Sequence, residues 1–237
     1  MIDLSSQRVL VVGGSSGIGF GAAQAAAALG AEVTIASRSA AKVAAAVERL
    51  GAGGRGVTLD TADAGGIAAF FAGEAPFDHV IVSAAQTKVA AVRDLPLEDA
   101  YASVNSKFWG AYRIAKGAKI RDGGSLTFVS GFLSIRPKKG AAIQGAINAA
   151  LEGLTRGLAL EFAPVRVNCV SPGLVMTEMY DRLAGDARQS MFDGAAARLP
   201  AGVVGTPEDI AVQIMAFLAN RYITGSTVYV DGGGAIA

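Results

Sequence analysis

Three glycines, Gly13, Gly17 and Gly19, follow the short apolar run Val9–Val12 in the order G-x-x-x-G-x-G, with Ser15, Ser16 and Ile18 filling the turn. A turn of this kind ahead of a helix lets the main chain approach a pyrophosphate, and the first N–H groups of the helix then face it. The spacing alone is a weak signal in a chain of 237 residues with 31 glycines. Its place between a strand and a helix gives it weight. A second signal stands at the end of the next apolar run, Val33–Ala36, where Ser37-Arg38-Ser39 follow. The ribose next to adenine in a dinucleotide would lie there. An acidic residue would accept from the 2′-hydroxyl of NAD, whereas a guanidinium and two hydroxyls suit the 2′-phosphate of NADP. The expected cofactor is therefore NADP(H).

These residues need elements to hold them. Short β-branched runs alternate with longer Ala-rich stretches: Arg8–Val12 and Gly17–Leu29, Glu32–Ala36 and Ala40–Leu50, Gly56–Leu59 and Gly65–Ala72, His79–Val82 and Leu97–Lys119. Ser125–Val129, Ala142–Phe162, Val165–Val170, Pro207–Ala219 and Thr227–Val230 continue the pattern. Strands that are nearly all apolar and separated by helices predict an α/β fold of Rossmann type, a doubly wound parallel sheet of about seven strands covered on both faces. One domain spanning residues 1–237 is expected, with an irregular lid at about 175–205 over the site.

Composition excludes several classes. With 21 basic and 20 acidic side chains the net charge is +1, and no basic block is present, so neither nucleic acid nor a membrane surface is an expected partner. The uncharged stretch from Val9 to Ala31 is long enough to span a bilayer, but its glycines and serines argue against it, and Asp3 makes a signal peptide a poor fit. A lone Cys169 forms no internal disulfide, and with the lone His79 it makes no Cys/His zinc site. No metal is expected, and a cytoplasmic setting is. His79, beside Asp78 and ahead of a strand, reads as structural.

With these motifs in hand, the sequence resembles the short-chain dehydrogenase/reductase family over essentially its whole length. Val12–Gly19 is similar to the family's T-G-x-x-x-G-x-G turn, with Val12 in place of Thr. The resemblance puts Asp60 and Thr61 at the adenine pocket, Asn105 at the active-site Asn, and Pro172, Gly173, Val175 and Thr177 along the segment that meets the nicotinamide. Thr206–Ala211 and Thr224–Gly233 resemble the family's C-terminal third. Family members associate through the helices at Leu97–Lys119 and Ala142–Phe162, so a homo-oligomer, tetramer or dimer, is implied.

The departures bear most on function. The family's N-N-A-G after the fourth strand is here Ser83-Ala84-Ala85-Gln86. Its Ser, its Tyr thirteen positions later and its Lys four beyond correspond to Gly131, Gln144 and Asn148. Gln144 and Asn148 donate hydrogen bonds but cannot ionise. General acid–base help is worth about 10²–10⁴ in rate, so reduction of an ordinary ketone is expected to suffer. The candidate catalytic residues are Asn105, Gln144, Asn148 and Ser130; Ser134, Arg136, Lys138, Lys139, Glu178 and Tyr180 are further sources of polar groups. Asn148 is also expected at the nicotinamide ribose, and Ser83, Ala84 and Ala85 behind the cofactor. The expected function is an NADP(H)-dependent oxidoreductase acting on a small organic substrate, an imine, a conjugated alkene or a carbonyl. The alternative is an NADP(H)-binding protein without turnover, a sensor or an inactive subunit.

Overall fold

The computed structural model describes residues 2–51 and 53–237. Its framework is seven strands: β1 (Arg8–Val12), β2 (Glu32–Ser37), β3 (Gly54–Thr58), β4 (Phe77–Val82), β5 (Ile120–Val129), β6 (Arg166–Pro172) and β7 (Thr227–Val230). They form one sheet in the order β3-β2-β1-β4-β5-β6-β7, with every pair parallel. The order reverses between β1 and β4. In such sheets the crevice outside the carboxyl ends of the strands at that point is where ligands bind.

Side-chain alternation along each strand builds two cores. Val9, Val11, Ile35 and Ile81 face one side, where α1 (Gly17–Ala28) and α8 (Pro207–Ala219) cover them. Leu10, Val12, Val80 and Phe128 face the other, against α3 (Ala64–Gly73), α5 (Gly110–Gly117) and α6 (Ala142–Glu161). The alanines and glycines of α1 let the first pair of helices lie close. A Cβ on Gly21 would stand 2.8 Å from Pro207 Cβ, so any larger residue there would push α8 away.

Three expectations need correction. The helix expected over Leu97–Lys119 is interrupted: α4 (Leu97–Val104) gives way to a π-helical turn at Asn105–Trp109 before α5 begins. An extra residue per turn re-aims side chains, and such turns concentrate at functional sites. The stretch expected to be irregular at 175–205 contains α7 (Gly185–Ala196) after a short 3₁₀ turn at Glu178–Tyr180. Gly185 and Gly194 and a polar, weakly periodic composition hide that helix. β5 starts five residues earlier than expected, because Gly123-Gly124 accommodate a register shift against β4 between Phe77 and His79. The remaining helix, α2 (Ala40–Leu50), follows β2 as expected. Among the described residues no helix is long and apolar enough to cross a membrane.

His79 is buried in β4, its Nδ1 2.8 Å from Ser125 Oγ and its Nε2 2.7 Å from Gln7 Oε1. Burial, aided by the Arg166 charge and opposed by Asp78, pushes its pKa down to about 4. The unfolded chain, with an ordinary imidazole near 6.5, takes up a proton first as pH falls. His79 therefore contributes stability in full above about pH 6.5 and loses it progressively toward pH 4. Urea unfolding is expected to show about 2 kcal/mol less stability at pH 5 than at pH 7. His79→Gln should lose most of that difference; an unchanged slope would contradict the assignment.

Candidate active site

The turn between β1 and α1 is shaped by close main-chain contacts. Gly13 has φ +86°, and a Cβ there would lie 2.5 Å from Ala84 N. Ser83 N and Ala84 N both donate to Val12 O, so the ends of β1 and β4 are laced together under the turn. Ser16 stands at the N-cap of α1 and its side chain caps nothing. The first turn of α1 instead donates outward: Gly17 N bonds Glu178 Oε2 at 2.9 Å. A carboxylate seated on a helix N-terminus is a stand-in anion, and the same N–H groups fit a pyrophosphate. Thr177 comes with it, its Cγ2 3.3 Å from the place of a Cβ on Gly17.

The end of β2 lies beside this turn. Ser15 Oγ donates to Ser37 Oγ at 3.0 Å, and the exposed Arg38 donates from Nη2 to Gln86 Oε1 at 2.9 Å. Ser39 is occupied as the N-cap of α2, accepting from Lys42 N at 3.3 Å. Two hydroxyls and an exposed guanidinium thus cluster where a phosphate on an adenosine ribose would fall. Asp60 closes a local turn, Oδ1 accepting from Ala62 N at 2.9 Å. Thr61 is buried, with its carbonyl accepting from Arg113 Nη1 at 3.2 Å. Arg113 also donates to Asn105 Oδ1 at 2.6 Å, so the Asn105 amide is drawn toward Thr61 at the end of β3.

At the ends of β5 and β6 a different polar group assembles, and it includes two residues not singled out from sequence. Lys107, in the π turn, is 8% exposed and sends its ammonium to Ser130 O and Asn148 Oδ1, each at 2.7 Å. Desolvation pulls its pKa down to about 8, with Cys169 and Glu152 pulling the other way. Glu152 is buried one helical turn beyond Asn148. Its Oε1 accepts from Ser130 Oγ at 3.0 Å, Ser134 Oγ at 2.6 Å and Ser171 Oγ at 3.2 Å, and its Oε2 from Tyr229 OH at 2.9 Å. This carboxylate ties β5, β6, β7 and the turn at Phe132–Ser134 to α6. The Ser130 hydroxyl is committed inward, to Glu152, while its carbonyl holds Lys107. Cys169 is buried beside the group, its thiol pushed up to about 11 by desolvation.

Gln144, Asn148 and Glu152, four residues apart, form one stripe along α6. Gln144 is partly exposed at its outer end and Asn148 is 2% exposed. A Cβ on Gly131 would stand 2.7 Å from Asn148 Nδ2, so that nitrogen fills space a side chain at 131 would need. Gly173 N donates to Val230 O, seating Pro172-Gly173 against β7, and Val175 pairs with Gly205. Helical spacing alone gives Lys107 and Glu152 a place but no role. Lys107 falls four residues from Ser103 and from Ala111, on the buried face of its helix, and Glu152 extends the Gln144–Asn148 stripe. Among the described residues no cluster of three or more His, Cys, Asp and Glu is placed to hold a metal.

Against known proteins, the family model described as "Enoyl-(Acyl carrier protein) reductase" matches residues 12–234. A short-chain dehydrogenase/reductase, ucsE, from Acremonium sp is 34% identical over 99% of this chain and 97% of its own. The chain belongs to the short-chain dehydrogenase/reductase family. It is thus kin to oxidoreductases. Among solved structures, a small-chain dehydrogenase in complex with NADPH superposes with a TM-score of 0.86 at 34% identity, covering 98% of this chain and 100% of that one. The MalC Reductase/Diels-Alderase from Malbranchea aurantiaca superposes with a TM-score of 0.88 at 26% identity, covering 97% and 96%.

Proposed function

We propose that the protein is an NADP(H)-dependent oxidoreductase whose site works without the Ser, Tyr and Lys usual in its family. The observation that carries the cofactor assignment is the pair of anion-ready places side by side. One is the α1 N-terminus, whose Gly17 N–H already holds a carboxylate. The other is the Ser15, Ser37 and Arg38 cluster. Gly13 to Gly19 would hold the pyrophosphate, Ser37 to Ser39 the 2′-phosphate, Asp60 and Thr61 the adenine side, and Ser83 to Ala85 with Pro172, Gly173, Val175 and Thr177 the nicotinamide side. The NADPH bound in the similar small-chain dehydrogenase supports the same reading.

When bound, the cofactor supplies or accepts a hydride. The chain's own contribution is to hold the substrate without protonating it. Gln144 and Asn148 offer amide donors along one face of α6, and neither amide ionises. Small organic acceptors that need no strong acid from the protein fit this site: imines, conjugated alkenes, or carbonyls that take their proton from water. Asn105 has its amide oxygen taken by Arg113, so Gln144 and Asn148 offer the freer amides, and Ser130 acts by holding Lys107 and Glu152 in place. The reductases and dehydrogenases among its relatives favour turnover over binding alone.

The same proposal includes a homo-oligomer, dimer or tetramer, in a cytoplasmic setting suited to the single free Cys169. Tyr101, Trp109 and Tyr112 along α4 to α5, and Leu160 on α6, are exposed in one chain. Covering them would remove apolar surface from water. Light scattering at micromolar concentration should give at least a dimer mass; a monomer alone would contradict this.

Titration with both cofactors tests the main assignment. A charge-assisted bond to the 2′-phosphate is worth about 1.5–3 kcal/mol, roughly 10–150-fold in favour of NADPH over NADH. Arg38→Ala should erase most of that ratio. Glu178→Gln should tighten both cofactors alike by about 2–5-fold, because a competing anion leaves the helix terminus. Equal or tighter binding of NADH to the unaltered protein would overturn the NADP(H) assignment.

A further inference from the structure

An ammonium group has donors and no acceptor, so the contact between Lys107 and Asn148 has only one sense: the amide oxygen faces Lys107 and the amide nitrogen faces away. That nitrogen makes no hydrogen bond among the described residues and is not one of their sealed, unpartnered polar atoms, so it keeps an open side although Asn148 as a whole is 2% exposed. It points at the space beside Gly131, where a Cβ would stand 2.7 Å from it. Lys107 itself is held from the other side by Ser130 O. Ser130 then separates the ammonium from its counter-charge, since its hydroxyl, not Lys107, bonds Glu152. The cation is thus kept unquenched next to the amide, and a cation on the oxygen of an amide makes its N–H groups stronger donors.

We propose that Asn148 Nδ2, oriented and polarised by Lys107, is the donor that receives a substrate oxygen, and that this oxygen is the carbonyl of an α,β-unsaturated carbonyl compound. The inference rests on the hydride-transfer function proposed above and narrows its substrate class. Asn148 would touch the substrate; Lys107 is a positioning residue that acts through it. Neither Gln144 nor Asn148 can give up a proton, so the bound oxygen must carry its negative charge until water acts. An enolate spreads that charge over oxygen and carbon, while the alkoxide from a simple ketone cannot. A cationic iminium substrate would meet a like charge in Lys107. The reaction balances as a two-electron reduction. A C–H bond forms at the β-carbon with the hydride from the reduced cofactor, which is left oxidised. The C=C π pair shifts to place charge on the carbonyl oxygen, and water protonates the α-carbon, leaving hydroxide to the buffer.

The groups facing Lys107 set its pH behaviour. Glu152 from α6 and Cys169 from β6 favour the cation, burial disfavours it, and Tyr229 from β7 reaches it only through Glu152. The donor therefore weakens as pH rises through about 8.

A phenolate mimics an enolate oxygen, so binding of 4-nitrophenol to the purified protein, with and without NADP, reads the site without turnover. At about pH 6 the bound ligand should show the absorbance of the phenolate although the free ligand is mostly protonated. Asn148→Ala and Lys107→Met should each weaken phenolate binding by about tenfold or more, Lys107→Arg by less. Binding to the unaltered protein should weaken above pH 8, which carries the test should Lys107→Met fail to fold. In turnover, NADPH should be consumed with cyclohexenone far faster than with cyclohexanone or a cyclic iminium ion. Asn148→Ala should lower kcat for cyclohexenone by about 10²-fold. A nitrophenol bound in its protonated form, or bound equally by Lys107→Met, would overturn the inference. So would reduction of the iminium ion in preference to the enone, which would leave the oxidoreductase function standing. Failure to bind NADPH would instead overturn that function, and the nitrophenol titration would still decide the oxygen site.

Discussion

A buried ammonium must find acceptors or lose its proton, and Lys107 finds two of them, the carbonyl at the end of β5 and the amide of Asn148 on α6. Much of the site follows from that constraint. Lys107 comes from the π turn that breaks the long helix after β4, so the irregular turn and the strand end are fastened to one another through a single charge. Asn148 has its orientation chosen for it. Ser130, with its carbonyl taken by Lys107, turns its hydroxyl to Glu152. Glu152 in turn gathers hydroxyls from the turn after β5, from β6 and from β7. Six elements of the fold meet in this chain of bonds, and it lies at the carboxyl ends of the strands where the sheet leaves its crevice.

The scaffold around it is built by close packing more than by polar contacts. Small residues on α1 bring α8 near enough for Gly21 to touch Pro207, and Gly13 lets the turn after β1 lie against the end of β4. These approaches put the α1 N-terminus, the Ser37-Arg38 corner and the Asn148 stripe on one rim of the sheet. The cofactor half of that rim keeps the features of the family. In the function proposed above, the reacting half works with the neutral amides of Gln144 and Asn148 and with Lys107 behind Asn148. The lysine of the family pattern lies on the same helix as its tyrosine, whereas Lys107 reaches Asn148 from the π turn packed against α6. The conjugated carbonyl proposed as substrate is the acceptor that such a site serves best.

The middle of the sheet was legible because β1, β2 and β4 are mostly buried and read as apolar runs, and β7 and α8 fall at the expected residues. α8 announces itself by Thr206-Pro207 with Asp209 three residues on, a reciprocal capping box that the structure contains. α7 was hidden by its glycines and polar face. The glycine turn, Arg38 and the Gly131–Gln144–Asn148 register could be read from spacing. Lys107 and Glu152 lay on visible helical stripes, yet a single charged residue in an apolar stripe gains meaning only once its partner is known. The seat of Glu178 on Gly17 had no local signal, since it joins residues 161 positions apart.

Carbon-13 labelling of the lysine side chains would follow the charge at the centre of this account directly, with Lys107 assigned by its loss in Lys107→Arg. An NMR titration should show Lys107 releasing its proton near pH 8. The same titration should move the Asn148 side-chain amide resonance with the same midpoint. Titration of Lys107 near the ordinary lysine value of about 10.4, with the Asn148 amide unmoved, would show that the ammonium is neither buried nor bonded as described.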